Sequence, residues 1–588
     1  MKYVIGIDLG TTNCALAYAA LDSQPVGLFP VPQLVNPGEV REEALLPSSL
    51  FLPGALDFPA GSLALPWNAE PAEVVGRLAQ KRGVENPGRL VSSAKSWLSH
   101  SGVDRTAAIL PWSGAPGLQK VSPVEASRRY LEHLRTAWDF HRPDAPFTEQ
   151  EVLVTVPASF DAVARELTLS AAEQTGCRNV TLLEEPQAAF YAWIERHPGW
   201  RERVAAGDLI LVVDIGGGTT DLTLIAVTER EGELALERVA VGEHILLGGD
   251  NMDLALARAI ERELAEKGAR LDGLQIHALW HNCRAAKEKL LDPASKAAQE
   301  PVTILGKGAG LVGGTIRAAL KRSILNAVLL DGFFPEVTSQ DFPERRRRVG
   351  LQEIGLPYAA DPAITKHLAQ FLRRQDGSMA APTHVLFNGG VLHARLLRER
   401  LLKVLNGWLA TEGKTAVQAL EGEDLMHAVA RGAAYYGLAR RGKGVRIRGG
   451  IARAYYVGIE SAMPAVPGLP NPLKALTVAG FGMEEGTGAS VPDREFALVV
   501  GEPAEFRFFS STSRREDAVG TLIEELGPEI QEITPMEVHL PASEGAGQLV
   551  PVTFETVVTE TGLLQLWCVA RDGRRWKLEF NVRERIPA

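Results

Sequence analysis

The chain has 588 residues, 45% hydrophobic and 23% charged, and its 62 Lys+Arg against 72 Asp+Glu leave a formal net charge of −10. That is ordinary globular composition with room for several domains, which excludes a disordered or fibrous chain. The mildly acidic balance argues against nucleic acid or an anionic membrane as a partner. Arg345-Arg346-Arg347-Arg348, the local exception, follows Pro343 and Glu344 without interleaved aromatics and reads as a solvated loop. Cys14, Cys177, Cys283 and Cys568 are widely separated with no CxxC pair, so neither a zinc site nor a disulfide framework is expected. Met1 to Ile7 is too short an apolar run for a signal peptide, and nothing later is long enough to span a bilayer, so a cytoplasmic protein is expected.

In chain order, β-branched runs predict strands at 3–7, 152–156, 179–183, 209–213 and 384–388. Stretches of helical period predict helices at 159–175, closed by Gly176, and at 187–197, 250–267, 277–291 and 391–409. This is an α/β pattern. From about residue 450 period-two alternation takes over. Its clearest case is Leu566, Cys568 and Ala570, then Arg571-Asp572-Gly573-Arg574, then Trp576, Leu578, Phe580 and Val582, which predicts a hairpin about an Asp-Gly turn. The change falls near Arg440-Arg441-Gly442-Lys443-Gly444, where charge and glycine suit a hinge. The expected organisation is an α/β domain over 1–442, a linker over 443–450 and a β domain over 451–588.

Two segments repeat one design. Ile5-Gly6-Ile7-Asp8-Leu9-Gly10-Thr11-Thr12-Asn13 and Val212-Val213-Asp214-Ile215-Gly216-Gly217-Gly218-Thr219-Thr220-Asp221 are each a strand ending in Asp, a glycine turn, paired threonines and a returning strand. Such glycines bring backbone N–H groups close to an anion, and threonine hydroxyls add donors, so each tip suits phosphate. A carboxylate beside phosphate requires a hard cation between them. Asp8 and Asp214 are therefore expected to hold Mg²⁺, largely through its waters. Two such hairpins facing one another would clamp a polyphosphate between two lobes.

On these residues the sequence resembles the DnaK-type 70 kDa heat-shock chaperones. Val154-Thr155-Val156-Pro157-Ala158-Ser159-Phe160 with Arg165 is similar to the family's switch proline and relay arginine. Leu183-Glu184-Glu185-Pro186-Gln187-Ala188-Ala189 resembles its connection whose Glu lies near the metal. Leu247-Gly248-Gly249-Asp250-Asn251-Met252-Asp253 and Asn388-Gly389-Gly390 resemble two further nucleotide turns, and Val552-Thr553-Phe554-Glu555 with Gly562 to Leu566 resembles its peptide-binding β-sandwich.

The resemblance implies a two-lobed actin-like ATPase domain followed by an antiparallel β-sandwich, with ATP/ADP and Mg²⁺ as cofactors. It implies catalytic roles for Asp8, Glu185, Asp214, Thr219 and, through the lysine that follows Val75-Gly76-Arg77-Leu78-Ala79, Lys81. Nucleotide contacts would fall to Gly10, Thr11, Thr12, Asn13, Gly216, Gly217, Gly218, Thr219, Gly249, Arg284, Lys287, Gly389 and Gly390, and interdomain coupling to Pro157 and Arg165. A polypeptide client and a nucleotide-exchange factor would be partners.

The departures count as well. Gln80 stands in the lysine's place with Lys81 one position later, which argues for weak hydrolysis and for an alternative reading as a nucleotide-gated interaction protein. At the adenine end Arg284 and Glu288 reverse the family's charges around Lys287, leaving either a solvated i,i+4 pair or an altered clamp, while Val391 and His393 replace its Ser and Arg. The linker Val445-Arg446-Ile447-Arg448 is basic where the family's is acidic, which argues against an ordinary J-domain partner. The expected domains use up the residues, leaving none for the family's helical lid. Asp331 to Asp361 has no counterpart. An actin-fold small-molecule kinase is the remaining alternative, with no segment that reads as a second-substrate pocket.

Overall fold

A computed structural model describes residues 1–22, 25–100, 102–114, 117–230, 233–305, 315–344, 355–373, 379–421, 424–443, 447–448, 451, 453–460, 473–484, 486–491, 494–500, 504–538, 548–559 and 564–580. The first predicted strand runs as Tyr3–Leu9, antiparallel to Asn13–Ala20 and parallel to Glu151–Val156, which itself pairs in parallel with Val180–Glu184. Val4, Ile5 and Ile7 are fully buried, as expected of a strand covered on both sheet faces. The second lobe repeats the plan. Leu209–Ile215 is antiparallel to Thr220–Arg230 and parallel to His384–Asn388, which pairs with Gln418–Leu420. Glu233–Val241 continues the sheet beyond Thr220–Arg230, as Gly27–Leu28 does beyond Asn13–Ala20.

The lobes share a hub. Helix Ala428–Leu438 leaves the second lobe and lies on strand Tyr3–Leu9 and helix Glu185–Arg196 of the first. A Cβ on Gly6 would run into the backbone of Ala430 and Ala434, and one on Gly432 into that of Ala188, so glycine sets the approach at both positions. Val4, Leu153, Ile210, Val212, Leu386 and Ala433 form one apolar cluster there.

Local hydrogen bonds move several predicted boundaries. The helix expected at 159 starts at Ala162, because Asp161 caps it by accepting the Ala164 N–H at 2.7 Å, and Pro157 to Phe160 stay outside the helix. The helix expected at 277 starts at Gly273, where Asp272 and Gln275 form a capping box. That expected at 391 starts at Arg395, after a tight 3-10 turn over Gly390–His393. A helix missing from the periodicity reading, Pro123–His141, begins at a Ser122 cap.

Past the hub helix, Ala439–Lys443 makes a wide turn in which Arg441 pairs with Glu151 at 2.8 Å. Within the expected linker, Ile447–Arg448 is a short strand seated in parallel on the edge of the second lobe, with Ile447 opposite Leu236. The chain then builds two runs of antiparallel strands, joined where Gln531–Val538 pairs with Arg575–Phe580, Met536 opposite Phe580. One holds Ala454–Glu460, Leu473–Ala479, Ala504–Ser511 and Gln531–Val538, and the other holds Phe496–Val500, Gln548–Val558, Leu564–Ala570 and Arg575–Phe580. The Thr556 hydroxyl donates across to the Val478 carbonyl at 2.7 Å. The expected Asp-Gly hairpin is present, with Leu566 opposite Leu578; Gly562, Leu563 and Val582 lie outside the described residues.

Of the stretch from Asp331 to Asp361, Arg345 to Arg348 also lie outside the described residues. Phe333 and Phe334 are buried in the second lobe's core. Gly355 to Ala359 touches both lobes: the Gly355 carbonyl is 3.0 Å from His100 Nε2 in the first, and the Ala359 N–H donates to the Leu246 carbonyl at 3.3 Å in the second. Among the described residues no helix is long and apolar enough to cross a membrane.

Candidate functional site

The matching strands carry Asp8 and Asp214 to matching positions above the cleft floor. Their tips interleave. A Cβ on Gly217 would overlap the Thr12 side chain, and one on Gly218 would come within 2.7 Å of Thr11 Cγ2. The Gly216 N–H closes one tip by donating to the Thr219 carbonyl at 2.9 Å, while Ser48 Oγ pins the other by donating to the Gly10 carbonyl at 2.6 Å, just before Asn13 starts the returning strand. The Gly248-Gly249 turn underlies them, with Gly249 N–H bonded to the Gly216 carbonyl at 3.0 Å and Asp250 N–H to the Gly217 carbonyl at 2.7 Å. Gly389 has a left-handed φ of 87°, and a Cβ there would sit 2.6 Å from Asp214 Oδ1; Gly390 follows against Met426. Asn388 Nδ2 donates to Asp214 Oδ2 at 2.6 Å.

The carboxylates are crowded, with Glu185 buried and Asp8 and Asp214 partly exposed. Burial, reinforced by Glu185 and opposed by Lys95, pushes Asp8 up to about 7. Burial and the neighbouring Glu185 hold Asp214 well above the usual carboxylate range. Glu185 is raised by burial and by Asp221, against the pull of Lys95. The upward shifts of Asp8, Glu185 and Asp214 mark a site short of positive charge beyond that of Lys95, and Thr12 Oγ1 is buried without a hydrogen-bond partner among the described residues. These residues fit a polyphosphate with a divalent cation: the tips supply donors and the carboxylates supply the charge a cation would neutralise. Among the described residues no group of three or more His, Cys, Asp or Glu is placed to hold an ion.

The structure does not bring Lys81 to the site. Its Nζ donates to the Val35 carbonyl at 2.7 Å and Asn36 Oδ1 at 3.1 Å, and Gln80 Oε1 accepts from Arg77 at 3.1 Å. The cation in the cleft is Lys95, which the sequence reading missed. It is 8% exposed, forms an ion pair with Glu185 and feels Asp8 and Asp221. Helix Ala94–Leu98 carries it, preceded by Ser93 at φ 55°, the one non-glycine residue with positive φ among those described. No pattern in the sequence marks it: the burial of its short helix and the positive φ of Ser93 exist only in the folded chain.

Asp221 and Ser159 stand within the quoted motifs without a role of their own, and His244 went unnoticed. Asp221 ends the second motif, faces Lys95 and is held below the usual carboxylate range by His244 and Ser159 in spite of its burial. At the base end, Arg284 pairs with Asp250 and with Asp253 at 2.9 Å, and Lys287 with Asp253 at 2.6 Å. Arg284 therefore belongs to a lobe-internal network rather than to an isolated pair with Glu288. His393 is exposed, and Val391 lies against Gly249.

The expected coupling residues lie where the parts meet. Arg165 donates to the Ala158 and Phe160 carbonyls, at 3.2 and 3.3 Å, and to Glu184 Oε1 at 2.6 Å, while Arg238 of the second lobe takes Glu184 Oε2. Pro157 opens the segment that Arg165 gathers. Arg453, at the start of the β-sandwich, donates to the Ser159 carbonyl at 2.9 Å.

Two lobes of repeated topology, closing over paired glycine–threonine tips and followed by a docked antiparallel sandwich, define an actin-like ATPase fold joined to a β-sandwich. The sequence model of the Hsp70 protein family matches residues 71–334. The chain is 31% identical over 306 residues to a chaperone protein HscA homolog of Bordetella pertussis, covering 50% of this chain and 42% of that one. It is 32% identical over 309 residues to the homolog of Pseudomonas aeruginosa strain LESB58, covering 50% and 43%. The homolog of Pseudomonas fluorescens matches at 28% over 418 residues, covering 67% and 58%. These matches support the Hsp70-type family, and the chain spans only about half the length of the curated relatives it matches.

Proposed function

We propose that the protein is an ATP-dependent chaperone acting in the cytoplasm, in which Mg²⁺ and ATP held between the lobes of 1–442 alter, through the linker 443–450, the grip of the sandwich 451–588 on extended polypeptide. The observation that carries this reading is the interleaving of the two tips over Asp8, Lys95, Glu185 and Asp214. The relatives' description as chaperones supports it.

When bound, Mg²⁺ would neutralise phosphate charge; the chain's own residues do the rest. The tip N–H groups and Thr11, Thr12 and Thr219 would orient phosphate, Asp8 and Asp214 would hold the cation, and Lys95 would place a fixed positive charge where negative charge develops. With Lys95 in that place, Gln80 no longer argues for weak turnover.

Isothermal ATP binding with single-turnover hydrolysis tests the site. Lys95→Ala is expected to slow hydrolysis by roughly 100-fold, and Lys81→Ala to leave it within about twofold, because its Nζ serves the Val35 carbonyl. Equal effects of the two variants would sink the assignment. Peptide affinity measured with and without ATP tests the coupling, and no difference refutes it. A second reading, a nucleotide-gated interaction protein, is favoured by Arg284 and Lys287, both occupied by Asp253; it predicts ATP binding with negligible turnover in the wild type. A nucleotide-exchange factor is a proposed partner, and the basic Arg446 and Arg448 disfavour a basic J-domain.

A further inference from the structure

We propose that Ser159 and His244 are positioning residues that hold the Asp221 carboxylate in the cleft, and that the C-terminal sandwich acts on Asp221 through Ser159. The proposal rests on reading the cleft as an ATP-hydrolysing site. Ser159 Oγ donates to Asp221 Oδ1 at 2.6 Å, and His244 Nδ1 lies 2.9 Å from Ser159 Oγ and 3.3 Å from the same carboxylate oxygen. Ser159 and Asp221 are 3% and 6% exposed. The Phe160 ring meets the His244 ring edge-on at 5.6 Å, fixing its plane.

This is not a nucleophilic triad. In such a triad the serine meets one imidazole nitrogen and the carboxylate the other, whereas here both meet Nδ1. The serine's single hydroxyl proton goes to the carboxylate, which leaves its lone pair to accept from an Nδ1–H. The arrangement therefore orients Asp221 and activates nothing. His244 Nε2 is left buried without a hydrogen-bond partner among the described residues.

Ser159 has a second bond in the opposite direction. Its carbonyl accepts from Arg453 at 2.9 Å, and the other arm of Arg453 reaches Ser510 Oγ of the sandwich at 3.2 Å. One residue of the first lobe thus carries the sandwich on its backbone and a second-lobe carboxylate on its side chain. Asp221 feels both Lys95 and Glu185 electrostatically, so a shift of Ser159 changes the field at the cleft's cation.

The test uses the full chain with S159A, H244A, H244N and R453A. In single-turnover hydrolysis S159A and H244A are expected to lose about tenfold in rate while ATP affinity stays within about twofold, each tenfold step corresponding to about 1.4 kcal/mol. H244N, which keeps a polar group near Nδ1, should regain at least half of that loss on a logarithmic scale. R453A should lower the rate less than S159A, and S159A/R453A should be no slower than S159A alone. Rates within twofold of wild type for S159A and H244A overturn the positioning role. Hydrogen exchange over residues 242–247 without nucleotide reads the link independently: S159A and R453A should each speed it, and unchanged exchange refutes the link. Absent wild-type turnover with exchange still responding would refute the ATPase reading and the catalytic consequence, leaving the mechanical link standing.

Discussion

Lys95 stays charged although burial opposes it, because Glu185 and Asp8 raise its pKa above the ordinary lysine value. Removing one member of such a group leaves buried charge uncompensated, at a cost of about 3–5 kcal/mol. The opposing crowding of Asp8, Glu185 and Asp214 partly offsets that loss here in the reverse substitution, so Asp8→Asn is expected to change nucleotide-free stability much less than Lys95→Met, as chemical denaturation would show. His133 supplies a pH test remote from the cleft. It is buried against Trp67, with Nε2 on the Pro32 carbonyl at 2.9 Å, and burial pushes it down from 6.5 to about 4. The unfolded chain takes up this proton near pH 6.5 while the folded chain refuses it until about 4. The stabilisation is therefore complete above 6.5 and is lost as pH falls toward 4, by roughly 3 kcal/mol in all. The difference between the denaturation midpoints of wild type and His133→Leu should move in the leucine variant's favour as pH falls over that interval; parallel curves would contradict it. Motif spacing alone pointed to Lys81, since nothing in a linear pattern tells which of two lysines the turn at Ser93 swings inward.

Elements differ in how far their own residues specify them. The two Asp–Gly–Thr hairpins and the Asp572-Gly573 hairpin were legible because strand alternation and turn chemistry are local. The starts of helices Ala162–Glu173 and Gly273–Leu291 were not, because a cap outvoted the apolar period. Helix Ala428–Leu438 depends on its neighbour: with Ala188 backbone where a Gly432 side chain would go, Gly432→Val must separate two helices. A loss of about 1–3 kcal/mol is expected, checked by equilibrium unfolding, with Gly407→Ala as a control where a Cβ meets open space.

At the scale of the whole molecule, the lobes, linker and sandwich meet around a short stretch of the first lobe. Arg165 and Arg238 share Glu184, Arg453 reaches Ser159, and Ile447 pairs beside the strand that carries Arg238. None of these contacts is sequence-local, which is why Pro157 and Arg165 were approachable only through resemblance, and why His244 and Arg453 went unseen. Gly355 to Ala359, unmatched in sequence, likewise acquires a place only once both lobes are folded. Ile447→Pro, which cannot donate from its backbone nitrogen, should loosen the linker strand. Small-angle scattering is expected to show a larger radius for this variant than for wild type, and an unchanged radius would mean that the strand does not hold the sandwich in place.

That short strand has a consequence for solubility. While Ile447 and Arg448 are seated, they shield part of the outer rim of Glu233–Val241 from other chains. Unseating the strand would bare that rim, a template on which an extended chain can add itself. A variant whose strand cannot seat should therefore gather into oligomers sooner than the wild type, as light scattering would show.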